Sequence, residues 1–458
     1  MIPKGPGGDR QLIRFSRLRQ ILLCSLAIVT ILTAGGIAYY YATLYTVDEA
    51  QEGYLALTGA TVLAGEGLEP RHSTTILIRD GTIVEVGDDG DVEVPSRAKV
   101  LDLSGYTLMP GLIDLHVHMG PSDPVFEEEG VGGILATSKL VIDWARFYPG
   151  TRRAFLENGV TTVRDLGNEY VWIMELRRQL HDGGLEGPRL FAAGPIFTTP
   201  GGHPVATFGV DPASDSVRLP STPEDARRAV REVASGENRV DLIKVVQERG
   251  GPGRSLEPIA PAVLDAIVAE AHEHDLPVTA HWGTLDDLKD VLAAGVDGSE
   301  HIESRGVLDG WPEDILDLLV EEEVPLSPTL AVTDAVLPPQ VASKLRQRAG
   351  EFHSAGGRIV LGTDAPINGL PFGASVHREL ELLVNGGLTP QEALGAATSE
   401  AAGVLRTDRI GAVEAGRAAD LVVVVGDPLR DIRDAKNVVM VFRDGRMVVD
   451  RRSEGERS

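Results

Sequence analysis

Residues 109–119, "MPGLIDLHVHM", contain the strand that decides how this chain is interpreted. The apolar residues predict a buried strand, yet Asp114, His116 and His118 occupy every second position. Successive side chains of a strand alternate between its two faces, so the two histidines point the same way. Two neighbouring imidazoles on one face indicate that they share a binding partner.

This strand is the first of a longer pattern. Short apolar runs that end in small or polar residues alternate with helical patterns between 109 and 405. The count of eight such units in about 300 residues is typical of a (β/α)8 TIM barrel, and we predict an α/β fold of this kind for 109–405. The runs are "LIDLHVH", "TTVRDLG", "RLFAAGP", "LIKVV", "VTAHWG", "GSEHI", "PLSPTL" and "IVLGTDA".

The segments on either side of the predicted barrel have a different pattern. Residues 54–108 and 406–450 contain alternating β-like runs that are broken by Asp-Gly turns, as in "TTILIRDGTIVEVG" and "NVVMVFRDGRMVV". We expect them to form one discontinuous small β-sandwich domain around the inserted barrel. Residues 119–150 are expected to form a loop-helix flap at the barrel mouth, and 451–458 a disordered tail.

The N-terminal region predicts a membrane anchor. Residues 20–47 carry no charge, and 21–47 are long enough to cross about 30 Å of hydrocarbon. Basic residues precede this segment and acidic residues follow it. The positive-inside rule therefore predicts a single-pass membrane protein with 1–20 in the cytoplasm and the catalytic domain periplasmic or extracellular. A cleaved signal peptide is the alternative.

The composition limits the classes of partner. The formal net charge of -25 argues against binding to nucleic acid, which requires a basic surface. Cys24 is the sole cysteine, so an intrachain disulfide is excluded. Neither the net charge nor the cysteine count excludes a homo-oligomer.

Polar residues at the C-terminal ends of the predicted strands form a candidate site. In a TIM barrel these ends meet at one opening, where catalytic residues lie. Imidazole and carboxylate groups together suit a divalent metal ion, with zinc the first expectation and other divalent metals as alternatives. The candidates are His116, His118, Lys244, His281, His301 and Asp364.

Lys244 determines how many metal ions we expect. An ammonium group repels a metal, but a buried lysine is readily neutral. The neutral amine reacts with carbon dioxide to form a carbamate, an anionic ligand that can bridge two metals. Each candidate taken alone has an ordinary structural explanation, such as a core histidine or a turn aspartate. Their shared position at one end of the predicted barrel favours the site.

The chain resembles the amidohydrolase superfamily, in the branch of imidazolonepropionase-like and Xaa-Pro-dipeptidase-like proteins. The likeness covers 54–450. It rests on "MPGLIDLHVHM", "GVTTVRDLGN", "DLIKVV", "TAHWGTLDDLKDVLAAGVDGSEHI", "SPTL", "GTDAP" and "ATSEAAGVLRTDRIGAVEAGRAADLVVVVGDPL".

The resemblance implies a role for each candidate. His116 and His118 would bind the more buried metal beside Asp364, and His281 and His301 the second metal. Lys244, as a carbamate, would bridge the two. A hydroxide between the metals would attack the scissile carbonyl, and Asp364 would take its proton and later deliver one to the leaving amine.

Two stretches depart from the commonest pattern of this branch. "AHWG" replaces the His-Ala-His of many relatives, and "VVQERGGPGRS" follows Lys244 in place of a loop of small residues. His203 in "GGHP" is a candidate catalytic residue that contacts the substrate, with a loop histidine as the alternative. We expect a structural ion pair for Arg164 and a structural carboxylate at Asp114. Surface positions are expected for His72, His181, His272, His274, His353 and His377.

These features predict a metal-dependent amidohydrolase with two zinc ions per chain. Its expected substrates are small amides such as dipeptides of the Xaa-Pro type or N-acyl amino acids. The alternative is a mononuclear-metal deaminase or a cyclic-amide hydrolase of the imidazolone type. A non-enzymatic barrel is less favoured because it would lack some of the ligands, and none is missing.

Overall fold

The computed structural model describes residues 23–36, 53–120 and 149–452. Most of the predicted flap over 119–150, and 453–458 of the predicted tail, lie outside these residues. Helix α1 covers 23–36 and helix α2 covers 149–157.

The membrane anchor predicted for 21–47 is wrong, and so are the single-pass topology and the extracytoplasmic location that follow from it. In the described part of the chain, no helix is both long enough and apolar enough to cross a membrane. The segments 1–22 and 37–52, on either side of α1, lie outside the described residues.

The remaining elements alternate between strands and helices. The strands are β1 (Tyr54–Ala64), β2 (Glu69–Arg79), β3 (Thr82–Asp88), β4 (Lys99–Asp102), β5 (Thr107–Pro110), β6 (Leu112–Val117), β7 (Val160–Asp165), β8 (Arg189–Ala192), β9 (Ile196–Phe197), β10 (Val217–Arg218), β11 (Ile243–Gln247), β12 (Gly250–Gly251), β13 (Arg254–Ser255), β14 (Val278–Trp282), β15 (Gly298–Glu300), β16 (Leu326–Ser327), β17 (Leu421–Val424), β18 (Val438–Arg443) and β19 (Arg446–Asp450). The helices that follow α2 are α3 (Tyr170–His181), α4 (Val205–Phe208), α5 (Pro223–Val233), α6 (Pro261–Glu273), α7 (Leu285–Ala294), α8 (Ser304–Val307), α9 (Glu313–Glu321), α10 (Leu330–Val336), α11 (Pro339–Ser354), α12 (Ala374–Gly386), α13 (Pro390–Ala396) and α14 (Ser399–Val404), with 3₁₀ turns at Ile367–Gly369 and Ile432–Lys436.

The two flanking segments pair with each other, as the discontinuous arrangement requires. They form one mixed, eight-stranded sheet in the order β19-β18-β17-β5-β1-β2-β3, and β4 also pairs with β1. The strands therefore belong to one sheet, where two packed sheets were expected. In β17, Leu421 and Val423 face the sheet's own core, whereas Val422 and Val424 join the main core. Burial on both faces explains the unbroken apolar run of this strand.

The central strands form a ring of parallel segments. One sheet contains β6, β7 and β8, and a second has the order β10-β9-β11-β14-β15-β16. β8 and β9 follow each other closely and link the two sheets at one side. At the other side the bridges Val117–Ala365 and Leu326–Ile359 insert the segment 359–365 between β16 and β6. All eight predicted runs thus take part, and their C-terminal ends lie at the same end of the ring.

Local capping explains how a helix leaves this end of the ring. Thr284 follows β14, and its hydroxyl accepts a hydrogen bond from the amide of Asp287 at 3.3 Å, which satisfies a free donor at the start of α7. Gly295 ends the helix with φ 82°, a left-handed conformation that glycine adopts without a steric penalty. The turn between β14 and α7 is therefore short, and it holds Gly283 against the mouth of the ring.

Candidate metal centre

The candidate residues come together at the C-terminal end of the ring. The ring centroids of His116 and His301 are 4.7 Å apart, and those of His281 and His301 are 4.8 Å apart. His118 lies 5.5 Å from His116. The strands and strand ends that contribute are β6 with His116 and His118, β11 with Lys244, β14 with His281, the end of β15 with His301, and the segment 359–365 with Asp364.

His116, His118 and Asp364 form the tightest group. Nε2 of each histidine lies 3.3 Å from Oδ1 of the aspartate. The ligand atoms of these three residues lie within 4.8 Å of one another, a spacing that could hold a metal ion. The backbone amide of Asp364 donates to the carbonyl of His116 at 2.7 Å, which fixes the carboxylate beside the first strand.

A buried network of charged residues binds Nδ1 of His116. Nδ1 of His116 donates to Oε2 of Glu300 at 2.8 Å. The other oxygen of Glu300 accepts from Nη2 of Arg164 at 2.7 Å and from the hydroxyl of Thr279 at 2.6 Å. The ion pair expected for Arg164 is therefore present. Sequence reasoning missed Glu300, although a charged residue in the strand "GSEHI" was a signal that could have revealed it.

His118 and His301 also have a partner at Nδ1. His118 donates from Nδ1 to the carbonyl of Gly167 at 3.0 Å. Nδ1 of His301 lies 2.8 Å from the hydroxyl of Thr329. In each ring Nε2 remains available as a ligand atom, because a hydrogen bond at one nitrogen determines which nitrogen can bind a metal.

Three residues of the centre have left-handed backbone conformations. The φ angles are 70° at His301, 48° at Thr329 and 59° at Asp364. Such angles are uncommon for residues other than glycine and are a true outlier for a β-branched residue such as threonine. Strain of this kind concentrates at functional sites. The three left-handed residues all lie at or just beyond the end of a strand or strand-like segment of the ring.

Lys244 is buried, with 2% of its surface exposed. Its Nζ has no hydrogen-bond partner among the described residues. Burial lowers the pKa of this lysine to about 8, against the opposing effect of the Glu300 and Asp364 carboxylates. The neutral amine is thus accessible near physiological pH, and an unpaired buried amine beside histidines suits the chemistry of carbamate formation.

The surroundings favour neutral rings at His116 and His301 and an ionised carboxylate at Asp364. Burial lowers the pKa of both His116 and His301 well below the usual range, so these rings can act as ligands at neutral pH. Burial opposes charge on His118 as well, but the hydrogen bond to Asp364 and the negative charges of Asp364 and Asp165 together outweigh it and raise the pKa of His118. Burial would raise the pKa of Asp364, yet the neighbouring histidines lower it.

His281 lies close to a carboxylate that the sequence did not single out. Its Nε2 is 3.3 Å from Oε2 of Glu248. Oε1 of the same carboxylate is 2.5 Å from Nη2 of Arg305. The stretch "VVQERGGPGRS", noted for its departure from the family pattern, therefore supplies a direct neighbour of the site.

His203 stacks on His281, with ring centroids 5.2 Å apart and planes inclined by 13°. Its Nδ1 lies 2.6 Å from the hydroxyl of Thr207, and its ring meets Phe208 edge-on at 5.1 Å. Burial, with the neighbouring His281, lowers the pKa of His203 to about 3. The structure thus places His203 beside the cluster as a neutral ring.

Two further expectations have different outcomes. Asp114 lies deeper than the cluster and accepts hydrogen bonds from the amide of Thr363 at 3.0 Å and from its hydroxyl at 2.7 Å, which agrees with a structural carboxylate.

The surface position predicted for His377 is wrong. This ring has 7% of its surface exposed, and its Nε2 donates to the carbonyl of Asn158 at 3.0 Å. It lies on the buried face of α12.

A cavity of about 880 Å³ lies away from these residues and is lined by Arg358, Glu392 and Glu400 among others. Its volume is suitable for a ligand, but Arg358 is already paired with Glu400 at 2.7 Å. The cluster of histidines, with its unpaired lysine, is the stronger candidate for chemistry.

Comparison with known proteins agrees with this geometry. The model of the Amidohydrolase family matches residues 107–448. Ochratoxinase from Aspergillus niger is 27% identical and covers 88% of both chains. Imidazolonepropionase from Geobacillus kaustophilus is 25% identical over 76% of this chain and 83% of its own. A crystal structure of a Xaa-Pro dipeptidase superposes with a TM-score of 0.70 at 25% identity, over 87% of this chain and 100% of that one.

Proposed function

The chain belongs to the amidohydrolase family and is a hydrolase of amide carbon–nitrogen bonds, and from this premise we propose that it is a metal-dependent enzyme for small amides. The proposed substrates are dipeptides, including the Xaa-Pro type, and N-acyl amino acids. The observation that carries the proposal is the group of His116, His118 and Asp364, whose ligand atoms lie within 4.8 Å of one another. The similarity to a Xaa-Pro dipeptidase supports the substrate class.

The donor set fits two divalent ions, and we propose zinc. The first ion is assigned to His116, His118 and Asp364, the second to His281 and His301. Lys244 would contribute a ligand to both ions as a carbamate, which forms when the neutral amine adds to carbon dioxide and loses a proton. Two features support this assignment: the buried Nζ of Lys244 without a hydrogen-bond partner among the described residues, and the partners that occupy Nδ1 of three histidines. Imidazole and carboxylate ligands are those that zinc prefers.

When bound, divalent ions lower the pKa of water and polarise the carbonyl of an amide. The protein supplies the proton transfers. Asp364 stays ionised because His116 and His118 lower its pKa, so its carboxylate can accept a proton from the attacking water and deliver one to the leaving amine. Its backbone hydrogen bond to the carbonyl of His116 keeps the carboxylate in place during both transfers.

His203 is proposed as a catalytic residue that contacts the substrate. Its ring is neutral at working pH because its pKa is about 3. With Nδ1 beside the hydroxyl of Thr207, the other nitrogen is left to form a hydrogen bond with a polar group of the substrate. The stacking of His203 on His281 supports a contact next to the proposed second metal.

The number of metal ions per chain tests this proposal. We expect two zinc ions per chain by inductively coupled plasma mass spectrometry, and loss of metal from Lys244→Ala but not from the exposed control Lys289→Ala. One ion that survives Lys244→Ala would instead support the mononuclear deaminase or cyclic-amide hydrolase. A zinc-supplied chain without metal would contradict both.

A library of dipeptides, N-acyl amino acids and cyclic amides tests the substrate class. The proposal expects hydrolysis in the first two groups and none in the third. Release of ammonia, or ring opening of cyclic amides alone, would favour the alternative reaction.

A further inference from the structure

Glu248 and Gly283 lie against each other at the mouth of the ring. Glu248 follows β11, and Gly283 follows β14. A Cβ atom at Gly283 would overlap Cγ of Glu248 and come within 3.2 Å of Nη2 of Arg305. Glycine at 283 therefore leaves the space through which the glutamate side chain reaches His281. The two stretches that depart from the family pattern thus contact each other in the structure.

Both carboxylate oxygens of Glu248 are engaged by this chain. Oε2 lies 3.3 Å from Nε2 of His281, and Oε1 lies 2.5 Å from Nη2 of Arg305. The guanidinium also packs against Gly251, where a Cβ would be 3.0 Å from Cδ of the arginine. A carboxylate that is 9% exposed and has both oxygens occupied is poorly placed to bind a substrate, but well placed to orient a neighbour.

His281 differs from the other three histidines in the nitrogen that the protein holds. His116, His118 and His301 have their partners at Nδ1, whereas the carboxylate beside His281 is at Nε2. Nε2 of His281 has no hydrogen-bond partner among the described residues, and Oε2 of Glu248 is the carboxylate oxygen that lies 3.3 Å from it. A proton on Nε2 would lie next to Oε2 of the glutamate. Nδ1 is then the nitrogen that remains for a ligand bond.

We propose that Glu248 is a positioning residue for the second metal ion. It fixes the tautomer of His281 with the proton on Nε2, so that Nδ1 is directed to the ion, and it makes the ring a stronger ligand. Arg305 holds the carboxylate in position, and Gly283 provides the space that it needs. This inference rests on the proposed binuclear function, and it concerns the second ion alone, because the first is held by His116, His118 and Asp364.

Zinc titration of the metal-free protein by isothermal calorimetry, with metal counts at buffered free zinc, tests this role. In Glu248→Ala we expect the dissociation constant of the second zinc to rise about 10–100-fold, while that of the first stays within about twofold. Glu248→Gln, which keeps the length and an acceptor oxygen, is expected to weaken the second zinc less. Gly283→Ala should act in the same direction as Glu248→Ala, because its methyl group displaces the glutamate.

Glu400→Ala is the matched control, since it removes a carboxylate paired with Arg358 at 2.7 Å away from the site. It should leave both dissociation constants unchanged, and circular dichroism should show folded protein for every variant. Unchanged affinity for the second zinc in folded Glu248→Ala, or equal loss of both ions, would overturn the positioning role. A wild-type chain that binds fewer than two zinc ions would refute the binuclear function itself. The wild-type count therefore tests the binuclear function, and the variants test the role of Glu248.

Discussion

His116 and Glu300 are separated by 184 positions in the sequence, yet Nδ1 of the histidine donates to Oε2 of the glutamate at 2.8 Å. Both side chains have 1% of their surface exposed. Because Arg164 and Thr279 bind the other oxygen, the glutamate links the interior of the barrel to a proposed metal ligand. Stability and the proposed metal binding are therefore expected to depend on the same carboxylate.

Glu300→Ala tests this dependence. The variant leaves the buried guanidinium of Arg164 without its charge partner, and breaking a buried pair in this way costs about 3–5 kcal/mol of unfolding free energy. Loss of the partner of His116 should also weaken zinc binding about 10–100-fold. Guanidinium unfolding and zinc titration measure the two effects. Glu175→Ala, in an exposed pair with Arg178, is the control and should change neither.

Asp364→Asn tests the proposed proton transfers. The amide keeps the size of the side chain but cannot accept the proton, so hydrolysis should fall by about 10²–10⁴-fold or more. Initial rates with the best dipeptide of the wild-type chain measure the effect. Asp334→Asn, at a carboxylate paired with Arg346 and Arg378, should retain its activity. Full activity in Asp364→Asn would show that another group transfers the proton.

His377 predicts a loss of stability in acid. Burial lowers its pKa to about 4, below the 6.5 of an unfolded chain. As pH falls from 6.5 to 4, the unfolded chain binds a proton that the folded protein does not. The unfolding free energy should therefore decrease by about 3 kcal/mol over this window, with no contribution above it. Urea unfolding between pH 7 and pH 4 should show a smaller decrease for His377→Gln, and equal slopes would contradict the prediction.

Gly350 permits the close contact of α11 with α12. A Cβ at this position would overlap the carbonyl oxygen of Gly386. Gly350→Ala should therefore lower the unfolding free energy by about 1–3 kcal/mol, the usual cost of overpacking. Gly395, in α13, has open space around its Cβ position. Gly395→Ala should raise stability by up to about 1 kcal/mol, since alanine is the better helix former. A thermal melt distinguishes the two variants.

Thr329→Gly tests the strained residue behind His301. Glycine adopts the φ of 48° without penalty but lacks the hydroxyl that lies 2.8 Å from Nδ1 of His301. The relieved strain and the lost hydrogen bond are each worth about 1 kcal/mol, so stability should change little. Zinc binding should nevertheless weaken, by about tenfold or more. Thr329→Ser keeps the hydroxyl and should bind zinc like the wild type.

Much of the fold could be predicted from local pattern. The alternation in β6 placed His116 and His118 on one face, and the spacing of apolar runs predicted the ring of parallel segments. Strand ends meet in such a ring, so the candidates could be grouped without knowledge of any contact. The likeness of the two flanking segments also indicated that they belong to one unit.

Other features depend on contacts between distant parts of the chain. Glu300 in β15 reaches His116 in β6 although the two strands do not pair, and no local periodicity predicts this contact. The position of His377 off the strand ends predicts a surface residue, although it shares a helix face with Leu380 and Val384, three and seven residues on. The apolar composition of 21–47 predicts a membrane-spanning helix, whereas no helix of the described residues is both long and apolar enough to cross a membrane.

The eight-stranded sheet has a consequence for synthesis of the chain. The hydroxyl of Thr107 in β5 donates to the carbonyl of Gly426, beside β17, across 319 positions. At about 5–20 residues per second, the ribosome needs roughly 15–60 seconds between these two points. Throughout that time β5 presents an unpaired apolar edge, the kind of surface on which nascent chains aggregate. The barrel must therefore be made, and can begin to fold, before the sheet that flanks it can be completed.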